Sequence, residues 1–261
     1  MKLAGLLALS LLVAVPLAAQ PRIVDGTLSR TPFSGDLASQ LVKLGEGWNG
    51  YAVETSRHVY ACSDVIDSDV RMRSGDLTVA SSNQLFVFYR VSEGRIERIR
   101  FHSSDCSLDA HGTAVHWIDG VPTRASAALL RTLVDSDRER LGKTAITALA
   151  LHDDSTTEML IEIARHHRSS EMRGAALFWI SQRAGARAAA TLRDAVDNDP
   201  EAAVRERAVF GISQLPADQS VPMLVELMKT HRSPGVRRKA AFWLGQTNDP
   251  RALAALEEML R

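Results

Sequence analysis

Neither sign of charge dominates this sequence. Its 31 lysines and arginines are matched by 31 aspartates and glutamates, and the sequence pI is near 7.1. Non-specific attraction to nucleic acid or to an anionic membrane is therefore not expected. Division of the chain uncovers no hidden basic module: residues 21–124 carry 11 Lys/Arg against 13 Asp/Glu, and residues 125–261 carry 19 against 18. The familiar catalytic spacings are missing too. There is no G-x-S-x-G, no Walker loop, no dinucleotide fingerprint and no H-E-x-x-H. Only a triad assembled from distant positions stays open. Beyond the N-terminus no apolar run is long enough to cross a bilayer.

What the N-terminus does contain is a targeting pattern. Lys2 precedes the apolar run Leu3–Val15, which is broken by Pro16 ahead of Ala18 and Ala19. This is the layout of a secretory signal peptide over residues 1–19, with cleavage expected between Ala19 and Gln20. A retained anchor is the alternative, but Leu3–Ala19 is short for a span and contains Gly5, Ser10 and Pro16. Export to a bacterial periplasm is expected. In that oxidising compartment the two cysteines, Cys62 and Cys106, read most simply as one disulfide, with two buried free thiols as the alternative.

The second half of the chain repeats itself. Glu171–Gln182, Ala203–Gln214 and Gly235–Gln246 align at a spacing of 32, which superposes Arg173, Arg205 and Arg237, then Phe178, Phe210 and Phe242, then Gln182, Gln214 and Gln246. Leu160, Leu192, Leu224 and Leu256 extend the period beyond the matched stretch, so one repeat is two helices. Asp199-Pro200, Ser233-Pro234 and Asp249-Pro250 each look like an N-cap residue before a first-turn proline, and Ser155-x-x-Glu158 looks like a capping box. Short connections make neighbouring helices antiparallel. Ser126–Val134 and Arg138–Leu151 form an irregular first pair.

Upstream the texture differs. Residues 20–46 read as a loose arm, with a short helix over Asp36–Leu44. Trp48–Glu54, His58–Cys62, Leu77–Ala80 and Ala114–Ile118 are strand candidates. Leu85–Val91 and Arg95–Phe101 flank Ser92-Glu93-Gly94 and predict a hairpin, and the unbroken apolar run of Leu85–Tyr89 predicts a strand covered on both faces.

The repeat resembles HEAT repeats of the PBS-lyase-like kind, through Val204-Arg205, Val236-Arg237 and Val221-Pro222-Met223-Leu224-Val225-Glu226-Leu227. The resemblance covers about half of the chain. It implies a right-handed α-α superhelix of about four helix pairs that binds proteins or peptides, with second helices on the concave side. The pattern Trp48-x-Gly50-Tyr51-Ala52-Val53, with Asp105-Cys106-x-Leu108-Asp109-Ala110-x-Gly112-x-x-Val115-x-Trp117, is similar to a group of exported bacterial HEAT-repeat proteins. Those carry further cysteines near Cys62, where this chain has Ala61. HEAT-like hydroxylases that bind iron use His-Glu pairs, and the chain has no His-Glu dipeptide.

Several side chains invite functional readings. Phe178-Trp179 and Phe242-Trp243 could line a groove, but their spacing from Ala176, Ile180, Ala240 and Leu244 reads as packing between repeats. Arg173, Arg205 and Arg237 could bind an anion; as a structural ladder they would bond the preceding turn. The three glutamines, and His166, His167 and His231, read as helix-end groups. Cys106, Asp109, His111 and His116 are the one cluster of metal-ligand types, and their spacing matches no zinc signature, so neither metal nor cofactor is expected. Glu162, Asp194, Glu226 and Glu258 recur every 32 residues on second helices, and Arg165, Lys229 and Arg261 follow three residues after three of them. Exposed i, i+3 pairs on a solvated face are the plain reading. The sharper one makes Asp194 and Asp197 the acidic centre of a groove, with Asp194 left unpaired.

The expected protein is α+β: a β-rich domain over residues 47–124, then a HEAT-like solenoid over 125–261. It is read as an envelope scaffold that binds a protein or peptide, of basic character, through Glu162, Asp194, Asp197, Glu226 and Glu258. The competing class is an enzyme, a lyase or metal-assisted hydrolase, at the junction of the two parts.

Overall fold

The computed structural model describes residues 21–55, 83–104, 106–183 and 185–259. The signal segment, the strand candidates His58–Cys62 and Leu77–Ala80, and Cys62 itself lie outside the described residues.

The β-rich part is organised by β4 (Gln84–Ser92), whose side chains alternate between two buried faces. Leu85, Val87, Tyr89 and Val91 face the helices, while Phe86 and Phe88 join Trp48, Leu108, Val115 and Trp117 on the other side. The apolar run thus matches a strand sandwiched between two cores. β4 pairs antiparallel with β3 (Gly47–Glu54) and with β5 (Arg95–Ser103), a hairpin turned at Glu93-Gly94. β3 also pairs parallel with β7 (Ala114–Asp119), and β7 pairs parallel with β2 (Thr27–Pro32), so the sheet order is β2-β7-β3-β4-β5. Gly50 lets β3 lie against β4, because a Cβ there would come within 2.5 Å of the Phe88 ring. β1 (Arg22–Val24) pairs with β6 (Ser107–Asp109) in a separate two-stranded ladder.

Residues 21–46, the described part of the expected arm, are not loose. They supply β1, the sheet-edge strand β2 and α1 (Leu37–Leu44), whose N-cap Asp36 accepts from Ala38 N. Turn-rich composition concealed the strands because their partners are parallel and about 85 residues away, so no hairpin signal marks them.

The helices run α2 (Thr123–Val134), α3 (Glu139–Leu151), α4 (Thr157–His166), α5 (Ser170–Ser181), α6 (Ala186–Asn198), α7 (Ala202–Ser213), α8 (Ala217–Thr230), α9 (Pro234–Gly245) and α10 (Pro250–Met259). They form two layers: α3, α5, α7 and α9 pack closely on one another, whereas α4, α6, α8 and α10 are spread further apart. The antiparallel pairs are α2–α3, α4–α5, α6–α7 and α8–α9, and a stack curves towards its closer-packed layer, so the second helices of these pairs line the inner side. The acidic row Glu162, Asp194, Glu226 and Glu258, expected on second helices, lies on α4, α6, α8 and α10 in the other layer.

Two starts also differ from expectation. Asp199 does not cap α7, which begins after Glu201; its carboxylate is held by Arg173 instead. Ser155 lies in a 3₁₀ turn, Asp154–Thr156, capped by Asp153, and α4 starts only at Thr157. Ser233 caps α9 as read, accepting from Val236 N.

One core joins sheet and stack. It runs from Leu37, Tyr51 and Val87 through Leu130 and Ile146 to Leu224, Leu244 and Ala255. At the seam a polar chain is sealed inside it. Tyr51 Oη lies 2.7 Å from both Tyr89 Oη and Ser126 Oγ, Ser126 Oγ lies 2.8 Å from His152 Nε2, and His152 Nδ1 lies 2.6 Å from Ala148 O. All four side chains belong to residues with no exposed surface. Burial raises the pKa of both tyrosines and lowers that of His152. A fully bonded network of this kind fixes orientation as well as distance.

His102 on β5 is a second buried imidazole, with neither ring nitrogen hydrogen-bonded and Phe88 at its edge. Burial, assisted by Arg100, lowers its pKa to about 4. An unfolded histidine titrates near ~6.5, so below that pH the unfolded chain takes up protons that the folded chain refuses. Stability is therefore complete above ~6.5 and is lost as the pH falls towards 4. Urea unfolding at pH 7.5 and 4.5 should show this loss, and His102→Leu should remove up to roughly 3 kcal/mol of it. An unchanged pH dependence in that variant would contradict the assignment.

Candidate functional site

Four groups of side chains could carry function, and the structure separates them. The first is the junction, where the enzyme reading would place its site. Ser126 and His152 are in contact there, but they are sealed from solvent, so no substrate reaches them. A cleft of about 140 Å³ lies nearby between β5 and α3, lined by Glu97, Arg98, Arg100, Arg138 and Arg140. It offers guanidinium groups rather than a base poised near neutrality.

The second group is the metal-type cluster. Only two of its four predicted members come together. Asp109 and His111 are joined by Asp25, delivered by the parallel β1–β6 pairing, with their ligand atoms within 4.8 Å of one another. His116 instead hydrogen-bonds Ser29 across β2 and β7, and Cys106 is buried before β6. Asp25 and His111 are exposed, as are many surface carboxylate–imidazole groups without metal.

The third group is the acidic row of α4, α6, α8 and α10. Every member is neutralised across the repeat boundary: Arg131 reaches Glu162 at 3.4 Å, Arg165 reaches Asp194 at 3.4 Å, Arg193 reaches Glu226 at 2.7 Å and Lys229 reaches Glu258 at 2.6 Å. Asp194 is therefore not unpaired, and it also accepts from Asn198 at 2.8 Å. Asp197 is taken by Arg193 at 2.8 Å. Arg165 and Lys229, two of the expected i, i+3 partners, act one repeat further on, because a long side chain in a side-by-side stack reaches the next helix as readily as its own next turn; Arg261 lies outside the described residues. Arg193, clamped between Asp197 and Glu226, has its pKa raised, and that of Glu226 is lowered.

The arginine positions serve the loops. Arg173, Arg205 and Arg237 each donate to two carbonyls before their own helix: His167 and Arg168, Asp199 and Pro200, His231 and Arg232. Arg173 alone adds a buried bidentate pair with Asp199, at 2.7 and 2.9 Å. His167 and His231 accept from the backbone N–H of Ser169 and Ser233, both at 3.0 Å. The glutamines do not satisfy helix-end carbonyls. Ser181 and Ser213 do so, donating to Phe178 O and Phe210 O, while Gln182 and Gln214 bond those serines.

The fourth group is the one that sequence reasoning placed inside. Phe178 is 43% exposed and Phe242 is 53% exposed, with Phe210 half-buried between them. Ala176, Leu177 and Ile180 are among the buried positions of α5; Phe178, two residues past Ala176, is turned well away from Ala176 and Ile180. The rings form a continuous strip across three repeats. Phe178 stacks on Phe210 at 6.4 Å with planes 5° apart, Phe210 meets Trp243 at 5.0 Å, and Trp179 and Phe242 contact their ring neighbours edge-on. Beside Phe178 and Phe210 lies a groove of about 250 Å³, walled by Lys143, Glu171 and Arg207 and floored by Gly174 and Ala175. Glu171 bridges the two cations, each at 2.9 Å, which lowers its pKa. A signal was present in the sequence: three phenylalanines at one helical position leave a full aromatic stripe that a shared core cannot absorb beside alanines.

Comparison with known proteins agrees with the repeat. Residues 189–261 match the family model described as HEAT repeats. No curated protein sequence matches the chain. Among solved structures, the complex of CpcE and CpcF of phycocyanin lyase from Nostoc sp. PCC7120 is similar at 20% identity and a TM-score of 0.42, over 52% of this chain and 89% of that one. Human deoxyhypusine hydroxylase in complex with glycerol gives 19% and 0.34, over 51% of this chain and 55% of its own. A designed armadillo repeat protein gives 20% and 0.31, over 52% and 70%.

Since Phe242 is more than half exposed, Phe242→Ala should lower stability by under about 1 kcal/mol in urea unfolding. A loss of about 3 kcal/mol or more would return that side chain to the core.

Proposed function

We propose that this chain is a non-catalytic scaffold that binds a protein or peptide partner along the inner face of its helix stack. The observation that carries the reading is the strip Phe178–Phe210–Trp243–Phe242, in which exposed Phe178 and Phe242 flank half-buried Phe210 and Trp243 across three successive repeats. Exposed aromatic surface costs solubility, and contiguous apolar patches of this kind mark interaction sites. HEAT repeats over residues 189–261 fit a protein-binding role. The row Glu162, Asp194, Asp197, Glu226 and Glu258 remains a competing surface for a basic segment, but its charges are already matched within the stack.

Affinity capture from the native envelope extract separates the two surfaces. Partners held by the wild-type chain should be lost with Phe178→Ala/Phe242→Ala, at an unchanged thermal midpoint. They should be retained with Asp194→Lys/Asp197→Lys. The opposite outcome transfers the site to the acidic row on α4, α6, α8 and α10.

Export and a disulfide between Cys62 and Cys106 belong to the same proposal. The supporting features are the apolar segment Leu3–Ala19 and the burial of Cys106, which is 4% exposed. Mass spectrometry of envelope-derived protein should find a chain starting at Gln20 and, without reduction, one cross-linked peptide pair. Two alkylatable thiols, or an intact Lys2–Ala19 segment, would overturn these points.

A further inference from the structure

The two ends of the aromatic strip differ in charge. At the α5 end, Lys143 and Arg207 are both engaged by Glu171, and Lys143 also by Glu139 at 2.6 Å, so the groove beside Phe178 is balanced and apolar-floored. At the α9 end the balance disappears. Between Glu226 and Asp249 the chain has no carboxylate side chain and carries Lys229, Arg232, Arg237, Arg238 and Lys239.

Three of those five are occupied: Lys229 pairs with Glu258, while Arg232 and Arg237 donate to backbone carbonyls. Arg238 and Lys239 have no partner among the described residues, and they stand one turn before Phe242 on the same side of α9. The first turn of α5 carries Glu171, whereas α9 has no acid of its own there and is approached at Gly235 by Glu206 of α7. Arg238 and Lys239, set against the single Glu206 carboxylate that α7 brings to Gly235, leave a net positive charge beside the exposed Phe242 ring.

Resting on the binding-scaffold reading, we infer that the partner of this face is an acidic, extended protein segment. Its apolar side chains lie on Phe178 and Phe210, and its carboxylates sit over Arg238 and Lys239. Three helices at the usual spacing of about 8–10 Å span about 20 Å from α5 to α9, the length of roughly six or seven extended residues. A single-stranded nucleic acid would also use rings and cations, but it needs positive charge along its whole track. Here the α5 end carries Glu171 and the middle helix carries Glu206.

Fluorescence anisotropy on the full chain tests the sign and the position. The probes are a labelled Phe-Pro-Phe-Gly-Phe-Glu-Glu-Glu-Glu peptide, its lysine-for-glutamate and serine-for-phenylalanine counterparts, and a twelve-nucleotide oligothymidylate. The acidic phenylalanine peptide should bind at least about tenfold more tightly than the other three and weaken with added salt. Arg238→Glu/Lys239→Glu, at an unchanged thermal midpoint, should cost about tenfold and shift the preference towards the lysine peptide. Equal binding of the lysine peptide, tighter binding of oligothymidylate, or indifference to the charge reversal overturns the inference. If the acidic peptide fails while partner capture still depends on Phe178 and Phe242, the inference falls and the scaffold reading stands. If capture ignores the phenylalanines, the scaffold face itself is wrong.

Discussion

Each helix pair of this chain has apolar surface on both of its broad sides, and no pair can hide it alone. That constraint governs the rest of the architecture. Inner repeats solve it by covering one another: Val221 and Leu227 on α8 are both only 1% exposed. The first pair, α2 and α3, has no helical neighbour upstream, and the sheet takes that place. Val87, Tyr89 and Ile99 belong to the same core as Leu130 and Ile146. The β-rich part thus acts as the N-terminal cap of the stack.

A cap must also be aligned, because apolar contact alone tolerates sliding. The chain Tyr51–Tyr89–Ser126–His152 supplies the alignment, with directed bonds from two strands to α2 and then to the end of α3. Its burial is costly unless every member is bonded, so a displaced sheet would leave unpaired hydroxyls in a dry interior. The features that make this group look catalytic, close Ser–His contact and shifted pKa values, follow here from structural duty.

Sequence periodicity revealed the stack and its helix order because period-32 repetition records packing directly: Leu160, Leu192 and Leu224 are all fully buried. β3, β4 and β5 were legible through alternation and a short turn. β1 and β2 were not, since parallel pairing with distant partners leaves no local mark. Phe178 and Phe242 misled because size and hydrophobicity suggested burial, while their azimuth on the helix, two residues from alanine core positions, decided otherwise. Asp194 misled because pairing was sought along one helix, whereas Arg165 approaches from the helix beside it.

The rungs Arg131–Glu162, Arg165–Asp194, Arg193–Glu226 and Lys229–Glu258 tie the outer layer together through solvent-exposed side chains, whereas the inner layer is held by closely packed helices and stacked rings. Exposed ion pairs are individually weak and screened by salt; apolar contact is not. The stack therefore behaves as a laminate with a stiff inner ply and a compliant, ionically tensioned outer one. The inner layer adds one exposed bridge, Lys143–Glu171–Arg207, to its packed helices, so the medium acts mainly on the outer side and the spacing of the inner rings keeps its gauge while the outer helices give.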